Sequence, residues 1–130
     1  MPKSREVWHE YTNGVYPISL FVGVTNYIDD ITDVFCYTDG SEIEDLSNYC
    51  LACTIDAVKK DTRERCVVIV FRGLRKTALS HIAHEAYHAT NYMCDMVGIE
   101  NTVTGNNEAQ AYLLGWIVKC CEETLKGKKK

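Results

Sequence analysis

The chain has 130 residues, 46% of them hydrophobic and 25% charged, a balance that suits one globular domain over residues 1–130 and excludes a disordered or fibrous chain. Its 14 Lys and Arg against 18 Asp and Glu leave a net charge of −4, which argues against a nucleic-acid-binding surface. No apolar run approaches the roughly eighteen residues of a membrane span and residues 1–6 lead into no apolar leader, so no membrane association and a soluble cytoplasmic protein are expected.

In chain order, residues 16–24 read as a strand with Ile18, Leu20, Val22 and Val24 on one face. Residues 26–35 suit a short helix with Ile28, Ile31 and Phe35 on one side, and the acidic stretch 38–49 reads as a loop. Residues 51–58 and 66–71 form a predicted hairpin around the charged turn 59–65. The second of these strands is apolar on both faces and is expected at the centre of the sheet. Thr54 and Asp56 make one face of the first partly polar, which suits an edge strand.

A helix follows, with Thr77 as N-cap, apolar residues from Leu79 through Ile82, Ala83, Ala86 and Met93, and Gly98 at its C-terminus. The polar segment 99–106 allows the chain to reverse. A last helix runs from Asn107 to about Lys126, capped by Asn106 or Asn107, with Ala111, Leu114, Ile117, Val118 and Cys121 towards the core. The basic tail Lys126, Lys128, Lys129 and Lys130 reads as a solvated end. The expected fold class is α+β, with about three strands packed on the two C-terminal helices.

The chemistry lies in His84-Glu85-Ala86-Tyr87-His88. On a helix, two histidines four residues apart share a face, and a carboxylate beside them completes a pattern that binds Zn²⁺ and activates water. A catalytic zinc usually takes three protein ligands and keeps one position for solvent. Glu108, twenty residues after His88 and in the first turn of the next helix, is the expected third.

HEAYH followed by Asn107-Glu108-Ala109-Gln110-Ala111-Tyr112 resembles the zinc site of the gluzincin metallopeptidases. The layout is also similar to very small gluzincin-like proteins, including uncharacterised ones from bacteriophages and bacteria. The motif covers residues 84–112, and the strand-then-helix order extends it to about residue 50. The resemblance implies a zincin-like fold in which a peptide pairs with the strand bordering the cleft. It also implies a separate C-terminal half of the cleft that has no counterpart in this sequence, so a protein partner or homo-oligomer is expected to complete it.

The roles follow from position. His84, His88 and Glu108 are the expected zinc ligands, and Glu85 the general base acting on metal-bound water in peptide hydrolysis. Tyr112, one turn after Glu108, is a candidate donor to an oxyanion or a ligand. Asn91 and Asp95 share the helical stripe and are candidates to orient a ligand histidine through its other nitrogen. His81 reads as an exposed histidine, and His9 receives no role. The expected partner is a peptide or protein substrate. The alternative function is a zinc-binding interaction or regulatory protein with little turnover, such as a phage factor acting on a host protein. Seven cysteines include one C-x-x-C pair, Cys50 and Cys53, but no second; they read as reduced thiols, with Cys53 and Cys66 in the core.

Overall fold

Six consecutive apolar residues, 66–71, offer solvent no polar face, and the fold buries all of them. The computed structural model describes residues 7–44, 51–73, 77–99, 105 and 107–127. Cys50, Asn106, most of the turn between the last two helices and Lys128 to Lys130 lie outside the described residues. The elements are β1 (Trp8–Thr12), β2 (Ser19–Val24), α1 (Asp29–Thr32), β3 (Phe35–Tyr37), β4 (Ala52–Lys59), β5 (Arg65–Phe71), α2 (Leu79–Val97) and α3 (Glu108–Gly127). The strands form one mixed sheet in the order β1-β2-β5-β4-β3, in which only β2 and β5 run parallel.

The α+β class and the central place of β5 agree with the sequence. The expected three strands are five among the described residues, and each difference has a local cause. β1 has no clean apolar alternation because it is an edge strand with both faces partly exposed. The strand expected over residues 16–24 begins only at Ser19. Before it, the Asn13 carboxamide accepts the N–H groups of Val15 at 2.8 Å and Tyr16 at 3.0 Å, and Pro17 has no N–H to give a ladder. The helix expected over residues 26–35 shrinks to one turn because Phe35 is drawn into β3, opposite Lys59.

Each face of the sheet has its own core. Leu20, Val22, Val67, Ile69 and Phe71 pack against Ile82, Ala86, Ala89 and Met93 of α2 and Leu113 and Ile117 of α3. On the other face, Phe21, Ile55, Val68 and Val70 pack with Ile31, Phe35 and Ile43. Trp8 closes that second core: its ring meets Phe35 edge-on at 5.1 Å and its Nε1 donates to the Asp30 carbonyl at 3.0 Å. Gly23, paired with Trp8, is what lets the indole lie flat on the strand. A Cβ there would come within 2.7 Å of Cε3 and Cζ3.

α2 is capped differently from the expectation. The N-cap is Ala78, not Thr77, and the His81 ring nitrogen Nδ1 accepts the Ala78 N–H at 3.3 Å. Gly98 does end the helix, at φ 78°, and the Ile99 N–H reaches back to the Cys94 carbonyl at 2.9 Å. Leu79 and Ala83, expected inside, are exposed. In α3 the buried side is Leu113, Ile117, Cys120, Cys121 and Thr124; Ala111 is exposed, and Leu114 and Val118 are half-buried. Among the described residues no helix is long and apolar enough to cross a membrane.

The position of β4 decides where a cleft can form. It is not the outermost strand, as β3 lies outside it, but β3 covers only Ala57–Lys59. Antiparallel ladders point the N–H and C=O of alternate residues to opposite sides. Leu51 accepts from Arg72 at 2.8 Å and Lys59 donates to Glu64 at 2.9 Å, so the odd-numbered residues of β4 face β5. Lys60 donates to Val34 at 2.8 Å, so the even-numbered ones face outwards. The backbone groups of Ala52, Thr54 and Asp56 therefore line an edge with no strand partner among the described residues.

Candidate functional site

The open stretch of β4 and the N-terminal two-thirds of α2 border a cleft of about 860 Å³. Its lining combines the strand residues Leu51 to Asp56 with Ser80, His81, His84, Glu85, His88 and Tyr92 of the helix, and Tyr37 of β3. This size is ordinary for a ligand site.

Helical spacing alone puts His84 and His88 one turn apart. Their rotamers bring the two Nε2 atoms to 3.3 Å, with the ring planes 75° apart. Two nitrogens each about 2.05 Å from one tetrahedral zinc lie about 3.3 Å apart, so the pair already has the bite of a zinc chelate. Without metal, the same contact is a hydrogen bond in which one imidazole donates Nε2–H to the other. Both histidines are exposed to the cleft.

Glu85 projects differently. It is only 7% exposed, and its Oε1 accepts from the Thr54 hydroxyl at 2.6 Å; the Glu85 carbonyl lies 3.1 Å from the same hydroxyl. A side-chain hydroxyl on β4 thus ties the carboxylate to the strand that borders the cleft. Burial, reinforced by Glu85, pushes the Cys53 thiol up to about 11. Cys121 rises to about 12, mainly by burial and then through Cys120 and Glu85. Neither thiol is a nucleophile at neutral pH. The described cysteines, Cys36, Cys53, Cys66, Cys94, Cys120 and Cys121, are all free.

No family model, no curated protein and no solved structure matches this chain.

Of the residues singled out in the sequence, His84, Glu85 and His88 come together in the cleft. Glu108 does not join them: it is the exposed first residue of α3, and among the described residues no three His, Cys, Asp or Glu side chains are grouped as a metal site. Tyr112 is 46% exposed and lies outside the cleft lining. Asn91 is half-buried and also outside it. Asp95 orients no histidine; it accepts from Arg65 Nη2 at 3.4 Å. Arg65 in turn grips Asp56 with two bonds, Nε to Oδ1 at 3.0 Å and Nη2 to Oδ2 at 2.8 Å. These contacts raise the Arg65 guanidinium above its ordinary value, the Asp56 hydrogen bond being the largest cause.

Sequence reasoning passed over Tyr92, Tyr37 and the pairing of Thr54 with Glu85. Tyr92 was within reach, since 84, 88 and 92 step by four along one stripe. Tyr37 and Thr54 depend on strand order and register, which no local pattern encodes.

Proposed function

We propose that the cleft binds an extended peptide along β4 and hydrolyses it with zinc held by His84 and His88, as in small gluzincin-type metallopeptidases. The observation that carries this reading is the 3.3 Å separation of the two Nε2 atoms on the wall of a cleft whose opposite wall is an open strand edge. Such an edge binds peptides by β-addition, with backbone hydrogen bonds giving affinity and alternate side chains giving selectivity. Zinc in this seat supplies Lewis-acid polarisation of a carbonyl and lowers the pKa of water towards about 7.

The chain's own groups divide the remaining work. Ala52, Thr54 and Asp56 align the peptide backbone. Thr54 holds Oε1 of Glu85, which leaves the other carboxylate oxygen to take a proton from water and later deliver it to the leaving amine. The mixed five-stranded sheet stacked on two long helices is consistent with a zincin-like arrangement.

A second reading is favoured by one observation: Glu108 does not join the histidines, and no other third group does among the described residues. On that reading the cleft holds zinc and a peptide segment of a partner protein without turnover.

Elemental analysis of the native protein beside its His88→Ala, Glu85→Gln and Glu108→Ala variants, followed by a peptide-library cleavage screen, separates these readings. Zinc is expected in the native chain and in Glu85→Gln, and lost in His88→Ala. Cleavage is expected only where both zinc and Glu85 are present. Zinc without cleavage selects the second reading, and a native protein that takes up no zinc refutes both. Glu108→Ala is expected to keep its zinc; a loss of tenfold or more in affinity, about 1.4 kcal/mol, brings that carboxylate into the ligand set.

A further inference from the structure

Resting on the peptide-binding reading, we propose that the cleft selects a basic side chain at one position of the peptide: the residue paired across from Asp56, two residues before the one opposite Thr54. The argument begins with strand phase. Residues of β4 whose backbone groups point to the open edge are even-numbered, and their side chains turn towards α2: Ala52 packs in the helix-side core and Thr54 reaches Glu85. A peptide added to this edge therefore sets its own alternate side chains opposite Ala52, Thr54 and Asp56, in the cleft. Directly opposed residues in such a ladder have Cβ atoms about 4.5–5.5 Å apart. Antiparallel pairing is the more stable arrangement, so the peptide residue facing Asp56 precedes the one facing Thr54.

The charge at this end of the cleft is unbalanced. Asp56 and Asp95 share the single guanidinium of Arg65, which leaves one negative charge over. Neither nearby lysine makes up the difference. Lys60 is committed to Glu42 at 3.1 Å, and Lys59, 3.9 Å from Asp61, reaches over the Phe21 ring on the other sheet face, 5.5 Å from its centroid. Asp95 is widely exposed, with 75% of its side-chain surface open, so a second cation can approach the triad without displacing Arg65.

Two aromatic rings line the same cleft. Tyr37, opposite Ala57, packs against the core of the other sheet face, so the ring on the α2 side is that of Tyr92, which lies between Glu85, which meets Thr54, and Asp95, which reaches the Asp56–Arg65 pair. A lysine or arginine stem lies favourably against the Tyr92 face while its charge meets the carboxylates. An acidic side chain at the same position meets net repulsion.

The test uses the full chain carrying Glu85→Gln and dye-labelled eight-residue peptides of alanine and threonine with one central Lys, Gln or Glu, read by fluorescence anisotropy. The Lys peptide is expected to bind about fivefold more tightly than the Glu peptide at about 50 mM salt, with Gln between them, and the difference to fall below about twofold near 0.5 M. Asp95→Asn, an exposed change that leaves the Arg65–Asp56 pair intact, is expected to remove most of the preference. Equal binding of the three peptides at low salt overturns the selectivity and leaves the peptide-binding reading standing. A preference that survives Asp95→Asn unchanged overturns the assigned charge. Failure of every peptide to bind at millimolar concentration overturns both this inference and the reading beneath it.

Discussion

Thr54→Val tests the contact on which the candidate site is built. Valine nearly matches threonine in shape, so the change removes a hydroxyl and little else. The Glu85 carboxylate is 7% exposed and receives that hydroxyl at 2.6 Å. A hydrogen bond to a charged group contributes about 1.5–3 kcal/mol, and a buried acceptor left without its donor carries the desolvation cost as well. A loss near 2 kcal/mol is expected. For 130 residues, an unfolding entropy of about 2.1 cal/mol/K per residue gives roughly 0.27 kcal/mol/K, so the midpoint should drop by about 7 °C. Urea denaturation followed by tryptophan fluorescence and circular dichroism measures the change, with an unaltered m-value marking an unchanged unfolded state. The Thr54→Val/Glu85→Met double variant should cost clearly less than the two single changes added together, by about 1 kcal/mol or more, because both remove the same side-chain hydrogen bond. A Thr54→Val protein within 0.5 kcal/mol of the parent would show that the carboxylate does not depend on β4, and the reasoning about Glu85 would fail.

Gly23→Ala places a Cβ 2.7 Å from the Trp8 ring; it should cost about 1–3 kcal/mol and shift the tryptophan emission, and an unchanged spectrum at full stability counts against the packing described. Gly98→Ala, at φ 78°, should lose about 1 kcal/mol by urea titration without altering metal uptake, since the strain is confined to the end of α2. Cys66 and Cys121 keep their protons in the fold to about pH 12, against 9.0 for the free thiol. The unfolded chain therefore sheds these protons first as pH rises, so their stabilisation is full below about pH 9 and is lost between there and 12. At pH 10 each buried thiol lowers stability by roughly 1–2 kcal/mol, and Cys121→Ala should flatten the decline between pH 8 and 10; an identical slope in the variant rules out that thiol as a cause.

What the sequence disclosed tracks how local the signal is. α2 and α3 were legible because 3.6-residue periodicity extends over five turns, and β5 because six apolar residues in a row permit no exposed face. His84 and His88 were legible because their spacing is a property of the helix itself. β1 and β3 were not, since an exposed edge strand and a three-residue strand have no pattern of their own and exist through their neighbours. The partner of Glu85 was hidden for the same reason: Thr54 lies 31 residues away, and only the register of β4 against α2 brings them together. Asp95 misled because its stripe passes the histidines, yet its side chain turns to Arg65 on β5. Glu108 marks where spacing stops being informative. A count of twenty residues fixes neither the path of the intervening turn nor the tilt of the next helix.

The division of α2 into two stripes explains how one helix holds the histidine pair ready. Ile82, Ala86, Ala89 and Met93 are fixed in the core shared with β5 and α3, so the helix cannot roll without opening the larger core. His84, His88 and Tyr92 occupy the stripe left facing the cleft. The backbone beneath the imidazoles is therefore set by packing that has nothing to do with metal, and the only freedom left to freeze is in the two side chains. Glu85 sits between the stripes, buried enough to be held by Thr54 and close enough to the cleft to serve it. Substitutions in the core of α2 should thus change stability and site geometry together. In chelator-treated, metal-free protein His84→Ala and His88→Ala should leave stability nearly untouched, because both residues are exposed and take no part in either core.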